Sequence, residues 1–462
     1  MFNEFITQEE LSLFTSGGFI ATGGMMVSEG MQNLWGTHDI FVREMPACRN
    51  YLVFAGLEPV VDYLLNLKFD QAQLEYLKKG YNFSDEVMEY YRNFRFTGDL
   101  YAMPEGSLFF PYQPVMRICA PLIEAQIIER YVLNAVMAYS VLTTKMSRFV
   151  HSVKPGITTG VNFIRAHGPQ ASAIALRAAK SVGVDLAAMP IFGLRNNLEV
   201  EKGAVTHSFI SSFATEEQAL RVFSKYCRGR GLWLLDTYDS MKGLAIFIKV
   251  AKELKKQKKP FPNMIQFDSG DLVKQSKIAR KKLDQAGLKE VKIILISNLD
   301  EYKITKMYKQ GMIADVVVGG EELTTSPDAP KLGFVSKLSE MIDGSAVIPK
   351  MKLSEGKLSY PGKKQVFRQT KDGKYFRDIV GLDEEKISGK KLLMPIIKKG
   401  KLVCKLPALQ KINQHYQAEC KKFSPALFAV NQRVKYSSEI SPALKSLAQK
   451  TKLAIAKAHY EL

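Results

Sequence analysis

Between Gly231 and Gly320 one pattern recurs, and it limits the folds open to this chain more than any other feature. An apolar run ends in acids or small polar residues, and an amphipathic segment follows. GLWLLDTYDS leads into MKGLAIFIKVAKELKKQ, NMIQFDSGDL into VKQSKIARKKLDQAG, and VKIILISNLDE into YKITKMYKQG. ADVVVGGEEL closes the series. Strand-like runs alternating with helical periods at about 30 residues indicate parallel βα units. The runs are continuously apolar, as expected of strands covered on both faces. The fold class is therefore α/β. In parallel barrels and open sheets alike, the carboxyl ends of the strands carry the site. The segments do not match residue for residue, so the repeat is architectural and the chain is no solenoid.

The flanks read differently. IFVREM (40–45) and YLVFAGL (51–57) look like strands, and a helix is expected from Glu58 to about Lys68. The segment 121–150 is long and apolar on one face, with Pro121 in a first-turn position. After Val347 short strands and Gly, Pro and Lys turns suggest hairpins. SPAL at 424–427 and at 441–444 suggests two helix starts. We expect three regions: an N-terminal α/β lobe over 1–120, an α/β barrel with the site over 121–350, and hairpins rejoining the lobe plus a helical tail over 351–462.

Composition narrows the function classes. The chain has 462 residues, 46% of them hydrophobic and 24% charged, as in ordinary globular proteins. Its five cysteines form no CxxC pair, which argues against a disulfide scaffold or a zinc ribbon and suits a reducing cytosol. No run of about 18 uncharged apolar residues occurs, and the start lacks the apolar core of a signal peptide. A cytoplasmic protein with no membrane partner is expected. The formal charge is +19, much of it in lysine runs such as Lys255-Lys256 through Lys258-Lys259, Arg280-Lys281-Lys282 and Lys398-Lys399. Such runs are ordinarily solvated helix faces. Without a zinc finger, an aromatic RNA-binding motif or a basic zipper, a nucleic-acid partner is not expected.

The strand ends carry the chemistry. They offer Asp236 and Asp239, Asp268 and Asp271, then Ser297, Asn298, Asp300 and Glu301, and finally Gly319 and Gly320. Carboxylates at adjacent tips suit a Mg²⁺ ion, held by Asp236 and Asp271, or a ribose diol. A Gly-Gly turn after an apolar strand lets backbone N–H groups converge on a phosphate. Asp, Ser and Asn at such positions also serve as turn formers and helix N-caps. His207, between Thr206 and Ser208, suits a nucleophile or general base, or a hydrogen-bonded structural histidine. Arg165 suits an anion clamp or a surface ion pair.

FDSGDL, ISNLDE, VGG with LTTSPDAPKLGFVSKL, the THSF histidine and KLSEGKLSYPGKKQVFR together resemble the nicotinate phosphoribosyltransferase family. FVREMPACRNYLVFAGLEPVVDYL and EGSLFFPYQPVMRICAPLIEAQIIE fit the same family, and the resemblance runs to about residue 370. It implies a type II phosphoribosyltransferase fold, an irregular parallel α/β barrel with an added N-terminal α/β lobe, working as a homodimer. It implies transfer of phosphoribose from phosphoribosyl pyrophosphate to nicotinate, with Mg²⁺ and with ATP as co-substrate. By position, His207 matches the histidine phosphorylated by ATP, Arg165 an active-site arginine, and Asp268, beside Ser269, the carboxylate on the ribose hydroxyls. Ser297, Asn298, Gly319 and Gly320 match loops around the 5′-phosphate, and Lys337 a family lysine.

The chain departs from the family where the base should bind. Gly18 falls at the family's stacking tyrosine and Val184 at its phenylalanine, with Ala187, Ala188 and Met189 at the neighbouring TSN. Each lost stack removes about 0.5–1.5 kcal/mol, so losing both costs roughly tenfold or more in affinity. Ile164 and Gln266 stand where the family has arginines, and Glu321 and Glu322 add negative charge beside the Gly-Gly turn. Phe14, Phe19 or Phe192 could stack instead. Otherwise the pocket serves a different heterocyclic base, or the chain is a non-catalytic binding paralogue.

Overall fold

A computed structural model describes residues 6–186, 189–196 and 204–460. The chain divides into two compact units. The first comprises Met1–Thr144, Ala329–Leu427 and Arg433–Leu462, and the second Lys145–Asp328 with Phe428–Gln432.

The second unit is built on five parallel strands: β1 (Thr158–Val161), β2 (Leu232–Leu234), β3 (Met264–Phe267), β4 (Lys292–Ile296) and β5 (Val316–Gly319). Their order in the sheet is β1-β5-β4-β3-β2. Single parallel bridges extend it at both edges, Leu186 beside Gly160 and Ala204 beside Leu232. The order is cyclic in sequence, with the last strand returning beside the first. That suits the expected α/β barrel, and among the described residues no ladder joins Leu186 to Ala204. The strands are buried because helices cover the sheet: α1 (Pro169–Val182), α2 (Glu216–Tyr226), α3 (Ser240–Lys256), α4 (Leu272–Gln285) and α5 (Glu301–Lys309). Each buries one apolar stripe, as Leu244, Phe247, Val250 and Ala251 do on α3.

Three of these helices begin the same way. The carboxylate of Asp239 accepts the N–H groups of Met241 and Lys242, that of Asp271 the N–H of Lys274, and that of Asp300 those of Tyr302 and Lys303. Each is an N-cap satisfying donors the helix leaves free. These aspartates are thus spent on helix starts.

Glu301 also serves the fold. It is 0% exposed, and Lys145 (2.8 Å) and Arg148 (3.0 Å) hold its two oxygens from the long helix Leu122–Ser152. Lys145 also reaches Asp328 at 3.1 Å. The expectation of a strand-tip acid near the site therefore yields, at Glu301, to a buried ion-pair network.

The first unit carries a seven-stranded antiparallel sheet whose central strands are Phe334–Asp343, Trp35–Val42, Met116–Pro121 and Asp99–Ala102. The expected helix over 58–68 is Leu57–Asn66, and that over 121–150 is Leu122–Ser152. A second, four-stranded sheet contains the hairpin of Lys364–Lys371 and Lys374–Leu382. Arg368, fully buried there, pairs with Asp378 at 2.8 Å and Glu419 at 2.7 Å and so joins the sheet to the helix Leu409–Lys422. SPAL at 424 gives only a 3₁₀ turn, Pro425–Phe428, whereas SPAL at 441 opens the helix Pro442–Tyr460.

Removing one member of a buried ion pair leaves uncompensated charge. Glu301→Ala is expected to destabilise the protein by about 3–5 kcal/mol in chemical denaturation. A loss near zero would mean that the network is not buried as described.

Candidate active site

The residues directly after the strands of the second unit face differently from those three positions later. Leu235 still pairs with β3, its N–H donating to the Gln266 carbonyl, so Asp236 is the first residue past β2. Asp268 is the first past β3, and Ser297 the first past β4. In each loop the residue three on is the cap already described, and the leading residue is left for the tip.

Asp236 ties two tips together. Its Oδ2 accepts the Asp268 backbone N–H at 3.2 Å and the Ser269 hydroxyl at 3.0 Å. Its Oδ1 is buried with no hydrogen-bond partner. His207, first residue of the short helix His207–Ser211, lies beside it, because the Thr206 side chain caps that helix through the Phe209 N–H. His207, Asp236 and Asp268 each present one donor atom within 4.8 Å of the others. The Nδ1 of His207 shares a 3.1 Å hydrogen bond with the Thr237 hydroxyl, and its Nε2 has no hydrogen bond among the described residues. Burial holds the Asp268 carboxyl above its usual range, and Asp236 raises it further. His207 and Arg165 pull it the other way. Two acids and a cationic environment thus meet at one place, where perturbed titration is a mark of function.

This set partly matches the sequence expectation. Asp268, Asp236, Ser269 and His207 come together, and Arg165 is close enough to act on Asp268. Asp271, expected as a metal ligand beside Asp236, lies outside the cluster, its carboxylate occupied by the Lys274 N–H. The metal-ligating reading of the tips therefore falls on Asp236 and Asp268. Their oxygens, one of them unpartnered, suit Mg²⁺, whereas an imidazole nitrogen is not a donor that ion favours.

The next two tips also meet. A Cβ at Gly320 would lie 2.7 Å from the Ser297 carbonyl oxygen, 3.0 Å from Asn298 Cα and 3.1 Å from its Oδ1. One at Gly319 would lie 2.1 Å from Leu323 Cδ1. The Gly-Gly pair is thus needed for the β4 and β5 loops to touch. The Asn298 side-chain oxygen is buried there without a partner. The two acids after the turn are matched, Glu321 with Arg165 at 2.9 Å and Glu322 with Lys303 at 3.5 Å. Their charge beside the turn is thereby offset.

The positions expected to contact a base fall in different units. Gly18 is an exposed residue of the helix Gly17–Ser28 in the first unit, and a Cβ there would meet only Ser16 Oγ, at 3.6 Å. Val184, in the second unit, is 2% exposed and packs in the turn after α1, its N–H bonded to the Ala179 carbonyl. Ala187 and Ala188 lie outside the described residues, and Phe192 falls on the short helix Pro190–Asn196. Phe14 packs edge-on against Tyr131, and Phe19 is half-buried. Ile164, beside Arg165, is 83% exposed.

The first unit holds a cationic cluster that motif reading reached only at Lys337. Lys337, on the strand Phe334–Asp343, is held below the usual lysine range by burial, with Arg43, Lys352 and Lys357 acting in the same direction and Glu129 against them. Arg43 bonds the Lys357 carbonyl at 3.0 Å. The signal was present as basic residues spaced through KMKLSEGKLSYPGKK, but nothing in that spacing says that Arg43 joins them.

Comparison with known proteins follows the same lines. The nicotinate phosphoribosyltransferase N-terminal domain model matches residues 21–137, and the C-terminal domain model matches 385–448. Nicotinate phosphoribosyltransferase pncB2 of Mycobacterium tuberculosis is 36% identical over 369 residues, covering 79% of this chain and 77% of its own. The nicotinate phosphoribosyltransferase of Bacillus subtilis is 34% identical over 397 residues, 83% and 79% of the two chains. Among solved structures, human nicotinic acid phosphoribosyltransferase shares the fold with a TM-score of 0.82 at 22% identity, covering 94% of this chain and 99% of that one. The nicotinate-nucleotide pyrophosphorylase of Pyrococcus furiosus gives 0.71 at 22% identity over 91% and 98%.

The two glycine positions respond oppositely to a methyl group. Gly320→Ala meets backbone that cannot yield and is expected to cost about 1–3 kcal/mol. Gly18→Ala, in an open helical position, is expected to be neutral or to stabilise by up to about 1 kcal/mol. Thermal melts of the two variants check this. Equal shifts would show that the two loops do not approach as described.

Proposed function

Because this chain belongs to the nicotinate phosphoribosyltransferase family of enzymes, we propose that it transfers phosphoribose from phosphoribosyl pyrophosphate to nicotinate, forming nicotinate mononucleotide and pyrophosphate. The observation that carries the reading is the meeting of His207, Asp236 and Asp268 at adjacent strand tips. The adjoining tips supply the touching loops at Ser297, Asn298, Gly319 and Gly320. The C1–oxygen bond to pyrophosphate breaks as the pyridine nitrogen forms its bond to C1, through an oxocarbenium-like state. Asp268 accepts hydrogen bonds from the ribose hydroxyls and fixes the sugar for that attack. The Gly320 N–H is taken by the Leu299 carbonyl, so the Gly-Gly turn serves by letting the loops close, and the Ser297 hydroxyl and the Asn298 side-chain NH₂ donate to the 5′-phosphate. Mg²⁺, bound through Asp236 and Asp268, would supply positive charge to the departing pyrophosphate.

We further propose that ATP is a co-substrate. The Nε2 of His207 attacks the γ-phosphorus, the bond to the bridging oxygen breaks, and ADP leaves. The phosphoryl group later passes from nitrogen to water. Thr237 at Nδ1 orients the ring for this role. A second reading, transfer to a different heterocyclic base, draws on the sequence, which has Gly18 and Val184 where the family has stacking aromatics.

The purified protein with phosphoribosyl pyrophosphate and nicotinate should form nicotinate mononucleotide, and ATP should raise the rate in wild type but not in His207→Ala. No product with nicotinate, but pyrophosphate release with another base, would favour the second reading. No release with any base would overturn both.

The titration of Asp268 gives a signed test. Its carboxyl sits above the usual range, so the ionised form is lost early as pH falls. Asp236→Asn removes a neighbouring negative charge and lowers that value. The acid limb of kcat/KM for phosphoribosyl pyrophosphate should therefore move to lower pH. A limb that stays in place or moves upward would mean that Asp268 does not govern it.

A further inference from the structure

Part of the large positive charge lies away from the strand tips, and eight cations collect at the end of the second unit opposite them. The strands β2, β3 and β4 start in register, with Leu232, Met264 and Lys292 in one row. The loops that precede them, and the carboxyl ends of α2, α3 and α4 that feed those loops, therefore reach one level, with α5 feeding the adjoining loop before β5, which pairs beside β4. Lys256 ends α3, Lys281 and Lys282 lie in or beside the last turn of α4, and Lys309 ends α5, all exposed. Cations at helix carboxyl ends complement the helix dipole, which accounts for these four in part.

It accounts less for Arg230 and Lys259, exposed further into the loops, than for Arg228 and Lys258, exposed just past the C-caps of α2 and α3. Arg228 and Lys258 moreover take positive φ, 47° and 55°, where glycine is the less costly residue. None of these eight cations joins an ion pair among the described residues. The nearby acids are already engaged. Glu253 pairs with Arg221, Asp284 with Arg280 and Glu290 with Lys255, while Asp315 accepts the Ile293 N–H. The same end exposes Tyr226, at 77%, beside Arg228, and Ile313 in the loop before β5.

We infer that this end of the second unit is a docking surface for an anionic phospholipid bilayer. Flexible lysines spread over one level suit a flat layer of headgroups. An exposed tyrosine and isoleucine among them suit the interfacial zone of a bilayer. Nucleic acid would call for a basic groove with stacked aromatics, or an element that enters a duplex groove. The loops here offer one exposed ring and an aliphatic side chain with no use on a phosphate backbone. No helix among the described residues is long and apolar enough to cross a membrane, so attachment would be peripheral and reversible.

Co-sedimentation with vesicles tests this. The intact protein should sediment with vesicles of mixed phosphatidylserine and phosphatidylcholine, not with phosphatidylcholine alone, and should be released by salt. Four surface lysines account for roughly a thousandfold in partition. The combined variant Lys256→Glu, Lys258→Glu, Lys281→Glu, Lys282→Glu should therefore lose at least about a hundredfold. Its transferase activity should be unchanged, since none of the four lies at the strand tips. The matched control Lys445→Glu, Lys450→Glu, Lys452→Glu, Lys457→Glu makes the same net change on the helix Pro442–Tyr460 of the first unit. It should lose far less. Equal losses in both variants would show that net charge alone acts and would overturn the assignment. So would indifference to phosphatidylserine, or retention of a single-stranded oligonucleotide without vesicle binding.

Discussion

Parallel register is the constraint from which the rest of the second unit follows. Strands paired in parallel all point their carboxyl ends the same way, so the loops just past β2, β3, β4 and β5 gather at one end of the sheet. A βα loop then has two obligations. It must offer its leading residue to whatever binds there, and it must cap the helix that follows. Spacing assigns the tasks. Asp236, Asp268 and Ser297 lead, and Asp239, Asp271 and Asp300 cap. One side-chain type thus does both jobs, separated by less than one helical turn.

The site is electrostatically expensive and the fold around it compensates. Burial and the neighbouring Asp236 raise the cost of ionising Asp268, and one Asp236 oxygen is buried without a partner. An unmet buried acceptor costs about 1–3 kcal/mol. A ligand hydroxyl or a cation would recover it. The helix caps and the buried network of Glu301 with Lys145 and Arg148 fasten the same loops and keep the tips from relaxing apart. Glu321 and Glu322, which look unfavourable beside a phosphate loop, are each matched by a cation.

Much of this was legible in the sequence, because it rests on local rules. Hydrophobic period announced the βα units, and the Gly-Gly pair read as a phosphate turn, whereas its approach to the Ser297–Asn298 loop shows only in three dimensions. What was not legible depends on which of several similar residues points where. The resemblance singled out Asp268 for the ribose, but spacing alone paired Asp236 with Asp271 for a metal, and only the helix caps separate Asp271 and Asp239 from the site. Glu301 read as a strand-tip acid because nothing local reveals that Lys145 and Arg148, about 150 residues earlier, are buried against it. The cluster of Arg43 with Lys337, Lys352 and Lys357 was hidden for the same reason. Cross-strand register brings Phe41 opposite Val335 and so sets Arg43 beside residues three hundred positions away.

The central claim is that the tips of β2 and β3 bind the ribose of phosphoribosyl pyrophosphate. Calorimetric titration of that ligand, with Mg²⁺ present, into wild type and Asp268→Ala tests it most directly. Removing a charged partner of two hydroxyls should weaken binding at least about tenfold, the equivalent of a charge-assisted hydrogen bond at about 1.5–3 kcal/mol. Equal affinity in a correctly folded variant would contradict it.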